Sequence, residues 1–351
     1  MIMKLHLALL LVPIIFIAGC AGIGDIFGGN IVTINTIDNV NGQRDILAIR
    51  SIETIPNSPV LPDFPVLLSF IVENQDKFSE AKDAKVDLFD APIFRKDDPA
   101  KPLCNSAPGT CPPESQQGVA WCTAPCNILP GEQKQVNFYL QAPSDTDIAG
   151  IRTTAAMNFK VSYDYNARLT YLIPIVNRQE ILKRQISGEK LSVQESKSHS
   201  SGPIQVDASV FGPQYILGGQ NAQIIFKLRN VGSGEVKNNK IDIGKMKISF
   251  PADILDVSKG GKITPPSDFT AVTATEFENS KPIEIFKDES RRSILFTLTG
   301  VNDLSANNEP FKTFEITASI GGIDPSGNIL PGYTYEIKDS TSLDVNPFRN
   351  V

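Results

Sequence analysis

The sequence predicts an all-β chain: two antiparallel β-sandwich domains in tandem, behind a short apolar N-terminal segment. Three observations predict it. Apolar and polar residues alternate with period two in short runs along most of the chain. Pro, Gly, Asn and Asp punctuate those runs. No window sustains a long 3.6-residue period. The length of 351 residues suits two domains of ordinary size. Apolar residues at 41% and charged residues at 21% place the chain with globular rather than disordered proteins.

The elements follow in order. Lys4 precedes an apolar run from Leu7 to Ala18 that contains Pro13. That run is too short to cross a hydrocarbon core of about 30 Å, and it reads as the h-region of a signal peptide over residues 1–19. The Gly-rich residues 20–30 read as a flexible tether. The first sandwich is expected over residues 31–186. Its strands are Ile46–Ile52, Pro65–Asn74, Lys85–Asp90, Gln135–Leu140, Phe159–Tyr165 and Leu169–Val176. Asn177–Gln185 fits a short helix or a final strand equally well. The Ser-rich residues 187–202 read as an inter-domain linker. The second sandwich is expected over residues 203–346, with a tail at 347–351. Its strands are Ile204–Val210, Gln223–Asn230, Met246–Phe250, Ser293–Leu298, Phe314–Ile320 and Tyr333–Ile337. Ser69–Asn74 and Ile225–Asn230 echo each other: each is a strand that ends in Asn before a polar loop.

Charge and composition narrow the function. The net charge of −6 is spread along the chain, which argues against nucleic acid or an anionic membrane surface as a partner. The two histidines are His6, in the apolar segment, and His199, in the expected linker, so a His general base is not expected. No Gly-rich phosphate loop follows a strand, and no Gly-x-Ser-x-Gly elbow occurs. Neither catalytic residues nor a cofactor are expected.

Cys104, Cys111, Cys122 and Cys126 lie in a Pro- and Gly-rich insertion over residues 95–130. An even number of cysteines in an exported chain reads as disulfides, and three pairings are possible. The rival reading is a four-Cys zinc site, but only Cys122 and Cys126 have a suitable ligand spacing; no metal is expected. Trp121, beside Cys122, either packs over a bridge or makes this loop the contact surface for a partner. Tyr163, Tyr165 and Tyr171 flank an expected hairpin with Asn166-Ala167 near its tip. On one face they would form a cross-strand ladder, or a stripe that binds sugar or peptide.

Two resemblances add to this reading. Ile17-Ala18-Gly19-Cys20, ending the h-region, resembles the lipobox of secreted lipoproteins. The resemblance implies that Cys20 is diacylated and becomes the mature N-terminus, and two acyl chains on one residue hold a protein stably. Ile216-Leu217-Gly218-Gly219-Gln220, followed by Ile224 to Gly232, resembles the immunoglobulin-like modules of prokaryotic surface proteins, including the cell-adhesion-related domain. Leu129-Pro130-Gly131-Glu132 with Phe138-Tyr139-Leu140 looks like the same turn and strand. Together they imply an exported protein anchored through an N-terminal lipid to the outer face of the cytoplasmic membrane or another envelope membrane. Its role would be structural or adhesive, with other envelope proteins as partners. The alternative is a ligand-binding lipoprotein or an accessory subunit of a surface machine or filament, which leaves a small-molecule ligand open.

Overall fold

The structure is a computed structural model, and it describes residues 45–91, 93–96, 126–287, 292–305, 308–323 and 329–348. Cys20, Cys104, Cys111, Trp121 and Cys122 lie outside the described residues, as do the expected signal peptide (1–19) and tether (20–30). The chain is all-β, and its sheets are almost wholly antiparallel.

Two pairs of sheets carry the fold. In the first pair, one sheet runs β1 (Leu47–Ile55), β2 (Pro65–Asn74), β5 (Gln133–Gln141), β4 (Arg95–Lys96). The sheet facing it runs β12 (Glu235–Val236), β23 (Tyr333–Val345), β6 (Thr153–Tyr165), β3 (Lys82–Asp90). Alternation sends Val66, Leu68, Phe70 and Val72 of β2 inward, and Phe70 stacks on Phe159 of β6 with ring centroids 4.3 Å apart.

In the second pair, one sheet runs β10 (Ile216–Leu217), β7 (Ala167–Val176), β20 (Phe311–Ile320), β14 (Met246–Ser249), β17 (Glu276–Asn279), β16 (Phe269–Ala271), and β8 (Ser196–His199) also pairs with β7. Its opposite sheet runs β15 (Lys262–Thr264), β19 (Arg292–Thr299), β11 (Ala222–Asn230), β9 (Ile204–Val210). Phe296 of β19 sits at the centre of this core, 5.2 Å from Phe277 and 5.7 Å from Phe226 between centroids. Two small ribbons complete the set: β13 (Lys240–Ile241) with β18 (Ile283–Glu284), and β21 (Gly322–Ile323) with β22 (Ile329–Leu330).

The connectivity differs from the expected tandem order. β6 belongs to the first pair of sheets and β7, one residue later, to the second. Apart from the two-residue β12, the chain returns only after β20, when β23 pairs along its whole length with β6, from Tyr333↔Tyr165 to Val345↔Thr153. The second sandwich is therefore inserted into the first, and the described residues form one compact unit. Sequence patterning shows which face of a strand is buried and leaves open which strand lies beside it.

Two local expectations change with it. β6 and β7 do not form a hairpin, because each finds its partners in a different sheet. Nor is the Ser-rich stretch 187–202 a free linker throughout. Ser196–His199 pairs with β7, and Ser200 N–H continues the ladder to Arg168 O at 2.9 Å. Small side chains and a glycine permit this close approach: Gly202 has φ +122°, and a Cβ there would lie 2.5 Å from the Tyr165 ring. Ahead of it, Arg178–Ser187 is a helix, α1. Asn177 caps it by accepting from Gln179 N–H, and Gly188 ends it in the left-handed region.

The echoed strand-ending asparagines have a shared task. Asn74 is fully buried; its Nδ2 donates to Ser79 O and Ile128 O, and its Oδ1 accepts from Asp76 N–H. Asn230 donates to Gly234 O and accepts from Gly232 N–H and from the Tyr335 hydroxyl. Asn279, at the end of β17, does the same with Asp242 O, Lys281 O and Met246 N–H. Each amide supplies the bonds that an irregular loop cannot supply for itself.

Candidate functional site

Two of the chain's crossings between the sandwiches run side by side. Asn166 separates β6 from β7, and Gly332 precedes β23. Gly332 N–H donates to Asn166 Oδ1 at 2.7 Å and to Tyr165 O at 3.1 Å. A Cβ at Gly332 would lie 2.5 Å from the Ile320 carbonyl, so the crossing leaves no room for a side chain.

Four tyrosines pack at this junction. Register places Tyr163 opposite Tyr335 and Tyr165 opposite Tyr333. Their rings meet edge-on, with centroids 5.9 Å apart for the first pair and 6.4 Å for the second. The Tyr163 hydroxyl accepts from Ile46 N–H at 3.3 Å, and the Tyr165 hydroxyl lies 3.2 Å from Ser201 Oγ. Burial pushes the phenols of Tyr163 and Tyr333 far above the ordinary tyrosine range and raises those of Tyr165 and Tyr335 as well. All four stay neutral at physiological pH and serve packing rather than proton transfer.

Of the expected contact tyrosines, Tyr163 and Tyr165 therefore form a ladder, with partners on β23, and both are buried. Tyr171 lies apart, in the second sandwich. It is fully buried, its hydroxyl donates to the Glu195 carboxylate, and Lys197 stands 5.6 Å over its ring. The sequence carried a signal for the ladder: Tyr333-Thr334-Tyr335 matches Tyr163-Asp164-Tyr165 in spacing, as paired strands require.

Two open clefts flank the junction. The first, about 620 Å³, lies between the start of β1 and β23, and its lining includes Asp45, Arg50, Gln75, Ser233, Lys338 and Asp339. Asp45 anchors its wall, accepting from Ser233 N–H at 2.9 Å and from Ser233 Oγ at 2.5 Å. The second, about 490 Å³, combines Phe78, Leu129 and Pro331 with Lys82, Asp164 and Arg168. Both clefts hold charges of either sign. Among the described residues, no three His, Cys, Asp or Glu side chains gather as metal ligands. No described helix is long and apolar enough to cross a membrane.

Cys126 is the one described member of the cysteine cluster. It is 6% exposed, and its carbonyl accepts from Ala84 N–H at 2.7 Å, so the end of the expected insertion docks on β3.

No family model matches the chain, and no curated protein matches it. It is similar to the solved yeast delta-COP-I mu-homology domain complexed with Dsl1 WxWxV peptide, at 10% identity over 86% of this chain and 95% of that chain, with a TM-score of 0.19. It is also similar to Escherichia coli alpha-2-macroglobulin activated by porcine elastase, at 12% identity over 88% of this chain and 22% of that chain, with a TM-score of 0.14. Likenesses at these TM-scores carry no argument about fold or function.

Proposed function

We propose that the chain is an exported lipoprotein of the cell envelope, with a structural or adhesive role exercised through protein contacts. The observation that carries this reading is the tetrapeptide Ile17-Ala18-Gly19-Cys20 at the end of a short apolar segment. In this reading Cys20 takes two acyl chains, and the Gly-rich residues 20–30 serve as the flexible tether. The sandwiches, read as immunoglobulin-like, act as a rigid support that presents loops at its ends. The four clustered cysteines pair as disulfides in the oxidising space outside the cell, and the burial of Cys126 against β3 supports a stapled insertion.

The test is fractionation of cells that express the chain and Cys20→Ser after feeding a labelled fatty acid. The parent should carry the label and sediment with membranes. Cys20→Ser should carry none, and should either appear in the soluble fraction or keep its leader. An unlabelled parent, or a variant with unchanged processing and sedimentation, overturns the reading.

A further inference from the structure

The end of the first sandwich farthest from the junction is built from three segments knitted together by the backbone. Val60 N–H donates to Asp344 O at 2.8 Å, and Asn346 N–H to Val60 O at 2.9 Å. Asp63 N–H donates to Pro143 O at 3.1 Å, and Ala142 N–H to Phe64 O at 2.9 Å. Phe348 N–H donates to Asp145 Oδ1 at 3.1 Å, and Arg152 pairs with Asp344 at 2.5 Å. Residues 56–64, 142–152 and 346–348 thus make one end surface.

Large apolar side chains gather there instead of scattering. Ile55, Leu61, Phe64, Ile151 and Phe348, with Tyr139 on the adjoining outer face, are each between 46% and 67% exposed. Single exposed apolar residues are ordinary; a group of six at one end marks a contact site. Among them stand four carboxylates, those of Asp63, Asp145, Asp147 and Asp344. Arg152 is the one described base of the three segments, and it is already bound to Asp344. Arg95 and Lys96, on the edge strand β4, stand opposite Gln141 and Leu140.

Charge selects among the possible occupants. A second copy would set acidic loops against acidic loops. Anionic lipid would meet the same carboxylates and be repelled. We propose that this end docks a protein segment presenting apolar side chains flanked by Lys and Arg. The inference rests on the protein-contact half of the function proposed above and does not require a lipid at Cys20.

The test uses the full chain purified in detergent, which gives the same answer whether or not Cys20 is acylated. The probe is a fluorescent 16-residue peptide of interleaved Leu and Lys; its counterpart carries Glu in place of Lys. The Leu–Lys peptide should bind. Ile151→Ser combined with Phe348→Ser should weaken it about tenfold, near 1.4 kcal/mol, while Val272→Ser on the other sandwich leaves it unchanged. Both are surface changes, and circular dichroism confirms that the variants fold. Any of four results overturns the proposal: no binding, equal binding of the Glu peptide, binding insensitive to the double substitution, or loss in that variant of attachment to phosphatidylcholine vesicles or of self-association instead.

Discussion

Asn74 shows how much one side chain decides in this fold. It is fully buried, and three backbone groups on two loops depend on its amide. Removing the amide takes a bond from each; Ile128 O keeps Ala81 N–H, whereas Ser79 O and Asp76 N–H lose their partner, and a buried unpaired group costs about 1–3 kcal/mol. Asn74→Ala should therefore destabilise the protein by on the order of 3 kcal/mol in urea denaturation. Gln133→Ala, on the exposed face of β5, should change stability by less than about 0.5 kcal/mol. Equal losses in the two variants would mean that the loops hold themselves. At this scale the sequence was informative in part. The echo of Asn74 and Asn230 at strand ends is visible in the residues, but their bonding is not, because the partners of Asn74 include Ile128, far along the chain. Asn279 has the same role without a matching phrase around it.

Strands were legible because alternation is local. Pro65–Asn74 and Ile204–Val210 appear where the pattern places them. β23 runs on to Val345, well past the expected Ile337, because residues 338–340 are polar and exposed and hide the pattern. The short strands β15 to β18 carry too few residues to show a period. Pairing was not legible: β6 and β23 are separated by most of the second sandwich, and nothing in either run names the other. The crossing strands bear directly on the expected linker. Residues 189–195 lie outside any helix or strand, and Lys190 is exposed. A protease should cut after Lys190, but β7 on the N-terminal fragment pairs with β20 on the other, from Phe311↔Val176 to Ile320↔Ala167. The nicked protein should elute as one species in native gel filtration and separate only in denaturant. Two fragments that part without denaturant would show that the shared sheets do not hold.

The molecule as a whole carries five buried tyrosines: Tyr163, Tyr165, Tyr171, Tyr333 and Tyr335. Burial, first of all, raises each phenol in the folded state. The sign follows from linkage. Above pH of about 10 the unfolded chain has released these protons while the folded chain keeps them, so stability present below that pH is lost as pH rises. Each of the five contributes a loss of up to about 1.4 kcal/mol per pH unit. Absorbance at 295 nm should show their ionisation coinciding with loss of the β-sheet dichroism in an alkaline titration. Ionisation of all five in a chain that stays folded would contradict this burial. The nesting of the sandwiches also has a consequence in time. A chain that emerges from its N-terminus delivers β1 to β6 first and β23 last, with the whole inserted sandwich between them. Until Tyr333 appears, β6 lacks the neighbour that it later holds over thirteen residues, and one of its edges stays open. The first sandwich to begin is the last to close, and until then its safety from wrong pairing rests on whatever guards that edge during synthesis.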